Sequence, residues 1–402
     1  MKTLLLFLFI AAFAGVARAQ PELARPEPEL LERARELARS ILIADTHIDL
    51  PSVLQDKWQD ISVRMAGGDF DYVRAKEGGL DVAFMSIYTP STLEGTGKSK
   101  AAADALIDTV QNIAARWPTK FSIVTSVSDV LAQQSSGRIL LALGMENGSP
   151  VEGKLENIAH FYRRGIRYIT LAHAKSNHIC DSSYDPKRTW NGLSPFGRRV
   201  VEEMNRIGIM IDVSHTTDSA FFQILQLSKA PVIASHSSCR HFTPGFERNM
   251  SDEMIRALAA KGGVIQINFG SSFINNDIRL QSEKGEKAID EHLRRHHLKP
   301  GGKEARTFTE KYRHDHPPRF ADVKDVATHI DHVVQLVGFD YVGLGSDFDG
   351  VGDSLPAGLK DVSQYPNLIC ELLKLGYTEG AIAKICSGNL LRVWSAVETA
   401  AR

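Results

Sequence analysis

Cysteine is scarce in this chain: four in 402 residues, Cys180, Cys239, Cys370 and Cys386. Their spacing makes no CxxC pair, which excludes the usual thiolate metal sites. Four cysteines allow three pairings, and buried structural thiols or a single bridge are expected. Charge of one sign is not in excess either. Lys and Arg number 47 against 48 Asp and Glu, for a formal net charge of −1. That balance leaves no footprint for a polyanion, so nucleic acid is not an expected partner. Long hydrophobic runs are missing too. The apolar stretch LLLFLFIAAFAGV has ~13 residues, short of the ~20 that span a bilayer. No tandem repeat of fixed period interrupts the chain, which argues against a solenoid.

What is present begins with a secretory pattern. Lys2 supplies the positive start, the apolar stretch follows, and Ala17-Arg18-Ala19 forms a small-residue cleavage site before Gln20. Residues 1–19 are therefore read as a signal peptide, and the mature protein as exported, either periplasmic or secreted. No stable membrane span remains once the signal is removed. The closing SAVETAAR offers no hydrophobic tail to exchange for a lipid anchor. Residues 20–40 read as a Pro- and Glu-rich leader running into a charged helix, and 41–402 as one domain.

Eight strand candidates follow: 41–46, 81–88, 139–146, 166–173, 208–215, 231–236, 263–269 and 340–347. Most are dense in Ile, Val, Leu and Ala rather than alternating, as strands buried on both faces should be. Helical patterns lie between most of them, at 101–116, 151–164, 195–206, 217–228, 251–261 and 322–337, with two more near 362–375 and 378–397. Glycine often introduces the next strand, the expected left-handed cap after a helix. Alternating βα units of this number predict an α/β fold, a (β/α)8 TIM-type barrel. Two stretches break the rhythm. Residues 47–80 read as a long loop after strand one. Residues 275–320 read as a charged, solvated helical insertion between strands 7 and 8, carrying His292, His296, His297, His314 and His316. A histidine-rich tract can bind metal, but these residues lack rigid strand ends.

His47, Asp49, Glu146, His215, His236 and Asp347 all fall at the downstream ends of predicted strands. In a parallel barrel that is the mouth where active sites sit. His47 and Asp49 are two apart, so an extended backbone would point both to one face. The Glu146 carboxylate has two oxygens and can bridge two cations, with Gly144 and Gly148 expected to let the backbone come close. His47, Asp49 and Glu146 would hold one ion; Glu146, His215 and His236 the other. Nitrogen and oxygen ligands without thiolate suit two Zn2+ per chain, with Mn2+ or Co2+ as substitutes. Such a pair would present a bridging hydroxide at neutral pH. Asp347 is placed to carry the proton; Asp349, farther into the loop, reads as solvated or structural. His173, ending strand four, could donate to the developing oxyanion. Arg248 could clamp a substrate carboxylate.

The runs DTHIDLP, GMENG, TLAHAKSN, DVSHTT, SHSSCR, RNMSDEMI and GSDFDG occur in one order from about residue 41 onward. Together they resemble the membrane (renal-type) dipeptidases, peptidase family M19 of the amidohydrolase superfamily. The resemblance implies His47, Asp49, Glu146, His215 and His236 as ligands of two zinc ions, with Glu146 bridging. It implies Asp347 as the catalytic acid/base, His173 as a contact to the scissile group, and Arg248 as the contact to the substrate carboxylate. It also implies a small free dipeptide as substrate, often with a D-residue accepted at the C-terminal position. Two features depart from the pattern. Asn268-Phe269 is followed by Gly270, where animal members carry an aromatic, and the lipid-anchor tail is absent. A homodimer is the form expected if the chain associates. The alternative function is another amidohydrolase-type hydrolase, acting on cyclic amides, β-lactams or esters. Many such enzymes use HxH on strand one and a modified lysine on strand four, where this chain has HxD and His173.

Overall fold

A computed structural model describes residues 27–401; the signal segment 1–19 and the start of the 20–40 leader lie outside the described residues. The rest of the leader is the helix Glu27–Ser40. Among the described residues nine strands follow: β1 (Ile43–Ile48), β2 (Leu80–Tyr88), β3 (Phe121–Ile123), β4 (Ile139–Glu146), β5 (Ile166–Thr170), β6 (Met210–Asp212), β7 (Ile233–Ser237), β8 (Val264–Ile267) and β9 (Val342–Leu344). Eight of them run in parallel in the order β1-β2-β4-β5-β6-β7-β8-β9, with β3 a short parallel addition beside β4. This is the α/β barrel of TIM type, with helices between the strands.

The ring is drawn together at the mouth, by the ends of its first and last strands. Ile48 and Phe348 form a parallel bridge. The Asp49 amide donates to Phe348 O at 2.9 Å, and the Asp347 amide donates to His47 O at 3.1 Å. The backbone that seals the barrel is thus the backbone that carries three of the candidate site residues. At the opposite end, Trp394 of the helix Asn389–Ala400 enters a cluster of inward-facing side chains. Its ring meets Phe84 at 5.3 Å, Phe84 meets Tyr168 at 5.6 Å, and Tyr168 reaches His47. One column of packed rings therefore runs from floor to mouth.

The connecting helices carry the caps that their sequence calls for. Ser194, Thr217, Ser251 and Thr378 each accept a backbone N–H from the first turn, which satisfies a donor the helix cannot pair internally. Asp322 and Asp325 form a reciprocal capping box.

Residues 47–80 are not the long loop expected. They contain helices at Leu50–Asp56 and Tyr72–Gly78. Pro51 lies in the first turn of the first of them, where its missing N–H costs nothing. Insertion 275–320 is helical as expected: a pair of helices, Asn276–Arg295 and Lys303–Asp315, with a small core of Ile289, Leu293 and Ala305. Its base joins the main core through Ile278. The four cysteines are all buried and unpaired.

Candidate active site at the barrel mouth

Glu146 ends β4 and is the hub. Its Oε1 lies 3.4 Å from His173 Nε2, 3.2 Å from His215 Nε2 and 3.2 Å from His236 Nε2. Its Oε2 lies 3.5 Å from His47 Nε2, which is in turn 3.3 Å from Asp49 Oδ2. Asp347 gathers with His47 and Asp49, their nearest ligand-type atoms lying within 4.8 Å of one another. The structure therefore brings together all seven of the sequence-predicted imidazoles and carboxylates. Arg248 joins them, with Nη2 3.1 Å from His215 Nε2.

The imidazoles are aimed by groups that sequence reasoning missed. The Tyr168 hydroxyl donates to Thr46 O at 3.0 Å, so its oxygen accepts the His47 Nδ1 proton at 2.8 Å. The Ser235 hydroxyl donates to Asp212 Oδ2 at 2.6 Å and accepts from His236 Nδ1 at 2.7 Å. With both Nδ1 atoms protonated, the Nε2 lone pairs of His47 and His236 point at the Glu146 carboxylate. Acceptors facing acceptors in a buried space leave a point that wants positive charge. His47 Nε2 has no hydrogen-bond partner there. Burial opposes a proton on His47, but Tyr168, Glu146 and Asp49 outweigh it and hold its pKa well above the histidine range. A divalent cation answers the same demand, and this donor set without thiolate fits one.

The remaining electrostatics follow from burial. Burial alone would raise Glu146, but the surrounding imidazoles, His173 and His47 first and then His215 and His236, hold it well below the carboxylate range. Burial and the nearby Arg248 charge push His215 and His173 down; for His236 burial acts with the charges of His47 and Arg248. Burial, opposed by His47 but helped by Asp49 and Glu146, raises Asp347 to about 7. Asn268 Nδ2 donates to its Oδ2 at 2.7 Å. Asn268 sits in an apolar strand end, INFG, and a polar residue in that setting is the one signal that could have found it.

Three expectations change in detail. His47 and Asp49 converge, but not by strand alternation. Asp49 has φ −89° and ψ 15° as the cap of the next helix, so the chain turns and brings its carboxylate back. Gly144 does not serve Glu146 directly. A β-carbon there would lie 1.9 Å from the Tyr168 ring, so its role is to admit the tyrosine that orients His47. Gly148 likewise makes room for Ile179 and Leu171 O. Asp349 is structural, as read: its Oδ1 accepts the Asp69 amide at 2.8 Å. His215 and Asp347 both hold left-handed backbone, φ 66° and 65°. A non-glycine residue there costs ~1–2 kcal/mol, and such strain gathers at functional sites.

Imidazoles and carboxylates converging on one buried carboxylate, at the mouth of a parallel barrel, define a metal-dependent hydrolase of the amidohydrolase type. The profile of the membrane dipeptidases, peptidase family M19, matches residues 31–402. This chain belongs to that family and is a metallo-dipeptidase. It is 32% identical over 398 residues to an uncharacterized dipeptidase of Schizosaccharomyces pombe, covering 94% of this chain and 86% of that one. It is 29% identical to human dipeptidase 3, covering 92% of this chain and 68% of the relative. Among solved structures, the probable dipeptidase PvdM of Pseudomonas aeruginosa superposes with a TM-score of 0.81 at 26% identity, over 93% of this chain and all 100% of that one. A Rhodobacter sphaeroides metallo peptidase liganded with a phosphinate mimic of L-Ala-D-Ala shares the fold at TM-score 0.73 and 24% identity, over 89% of this chain and 99% of that one. Among the described residues, no helix is long and apolar enough to cross a membrane.

Proposed function

We propose that this chain is an exported dipeptidase that cleaves free dipeptides with two zinc ions and accepts a D-residue at the C-terminal position. The observation that carries the reading is Arg248. The residue is 3% exposed, and among the described residues no carboxylate lies within ion-pair distance of its guanidinium. It donates to Ser237 Oγ at 2.7 Å and His236 O at 2.6 Å, while its Nε is unsatisfied. A buried charge without a counter-ion is costly, and the α-carboxylate of a dipeptide beside the Glu146 hub would supply that counter-ion.

His47, Asp49 and Glu146 would hold one zinc, and Glu146, His215 and His236 the other. The pair, when bound, supplies Lewis acidity and a water acidified from 15.7 towards ~7. Asp347 then takes the water's proton and returns it to the leaving amine, its Oδ2 steadied by Asn268. Of the imidazoles at the mouth His173 is the least buried, its side chain 21% exposed. It faces the opening and donates to the carbonyl oxygen as charge develops there. Export rests on Lys2, the apolar stretch and Ala17-Arg18-Ala19.

The test compares Ala-D-Ala, Ala-L-Ala and amidated Ala-D-Ala. The two free dipeptides should both turn over, and amidation should lower kcat/KM by about 10²-fold, the ~2–3 kcal/mol of a charge-assisted pair. Equal rates on the amide would remove Arg248 as the clamp. Cleavage of the L-isomer alone would overturn the D-residue reading.

A further inference from the structure

We infer that His241, Asp252 and His332 form a second site for a divalent transition-metal ion, separate from the barrel mouth. Each residue offers one ligand atom, and the three atoms lie within 4.8 Å of one another. His332 Nε2 is 2.8 Å from Asp252 Oδ1. The His241 ring stacks on His332, with centroids 4.4 Å apart and planes at 27°. An ion pair accounts for Asp252 and His332 alone. It does not account for a second imidazole laid over the first.

The three ligands come from three separate elements. His241 lies in the turn Arg240–Phe242, Asp252 opens the helix Asp252–Ala260, and His332 lies in the helix Val323–Val337. Competing charge is already committed. Arg240 is spent in a two-pronged pair with Asp218, at 2.7 and 2.6 Å. His329, one turn before His332, accepts from the Cys239 amide and donates to Ile274 O, each at 3.0 Å. Burial holds it neutral, with its pKa pushed down to about 3. Phe242 packs on both His329 and His332, at 4.5 and 5.3 Å, and fixes the face.

Two imidazoles and one carboxylate suit Zn2+, Cu2+ or Ni2+, and three protein ligands leave a position open to water. His241 is exposed, so the ion can exchange with solvent. The site would also brace the segment that carries His241. Backbone bonds from Arg240 N to Met250 O and from Met250 N to Ser238 O, at 2.8 and 2.9 Å, make that segment one unit. An ion held by His241 joins it to two helices.

The experiment is equilibrium dialysis of the full protein against micromolar Zn2+, with metal counted per chain, for wild type, His241→Ala and His332→Ala. Each variant should hold one zinc fewer than wild type while hydrolysing Ala-D-Ala at the wild-type rate. Added Zn2+ should raise the Tm of wild type above that of either variant, because an ion that binds only the folded state stabilises it. Copper(II) should give an imidazole-coordinated EPR signal that His241→Ala removes. Should His332→Ala fail to fold, the exposed His241 position decides alone. Equal zinc content in wild type and His241→Ala would overturn the site. So would loss of zinc together with loss of activity, which would place His241 in the mouth's own machinery.

Discussion

The barrel mouth and the 275–320 insertion are both rich in histidine, under opposite conditions. At the mouth, His47, His215 and His236 are almost wholly buried on strand ends or just beyond them. In the insertion, His296, His297, His314 and His316 stand exposed on two helices and their ends. The number of imidazoles is similar, yet only one group is organised for chemistry. Burial makes an unpaired lone pair expensive, and partners on Nδ1 decide where that lone pair points. In the insertion the rings stand open to solvent or lean on a neighbour, as His316 Nδ1 does on Tyr312 O at 3.0 Å, so nothing demands a cation. What makes a ligand is the shell that removes its other options.

Breaking the hub should abolish the contrast outright. Glu146→Gln keeps the shape but removes the charge that faces the four imidazoles. Bound metal should be lost, and kcat/KM on a dipeptide should fall by at least ~10³-fold, several kcal/mol at ~1.36 per tenfold. Metal analysis and kinetics on the same sample check it; a fully metallated, active variant would break the assignment of Glu146. Asp347→Asn should separate two roles within the mouth. Metal should stay and kcat should fall ~10²–10⁴-fold, the usual worth of a positioned acid/base. Retained turnover would remove Asp347 from proton transfer.

A subtler change tests the orienting shell. Tyr168→Phe removes one oxygen and leaves the ring column from Trp394 to His47 in place. His47 loses the acceptor for its Nδ1 proton, so metal affinity should weaken ~10–100-fold. Competition with a chelator would measure the shift. Unchanged affinity would mean that strand position alone orients His47.

The strand ends were legible because side chains there occupy the apolar-to-polar boundary of each run. Glu146, His215, His236 and Asp347 could be placed at one rim from that boundary alone. The shell was not legible, for physical reasons. Tyr168 sits within the apolar run IRYIT, where a tyrosine reads as core; its polar end matters only because Gly144 on the neighbouring strand admits it. Asp212 lies in MID, a carboxylate inside an apolar strand, which is a sign of a buried network but does not name its partner Ser235. The helix at Leu50–Asp56 was missed because Pro51, a loop signal, also suits the first turn of a helix.

The smallest expected effect sharpens the comparison most. Replacing His296, His297, His314 and His316 together by Gln removes four imidazoles, more than any variant of the mouth. Each is exposed, so each change should cost no more than ~0.5 kcal/mol. Zinc content and kcat/KM should both stay within about twofold of wild type, well below the tenfold that ~1.36 kcal/mol represents. Tyr168→Phe removes no imidazole at all and should matter more. If the fourfold variant instead loses zinc, the insertion itself binds metal, and the contrast drawn between it and the mouth fails. If both variants behave as expected, the difference between a histidine and a metal ligand lies in one phenolic oxygen behind the ring.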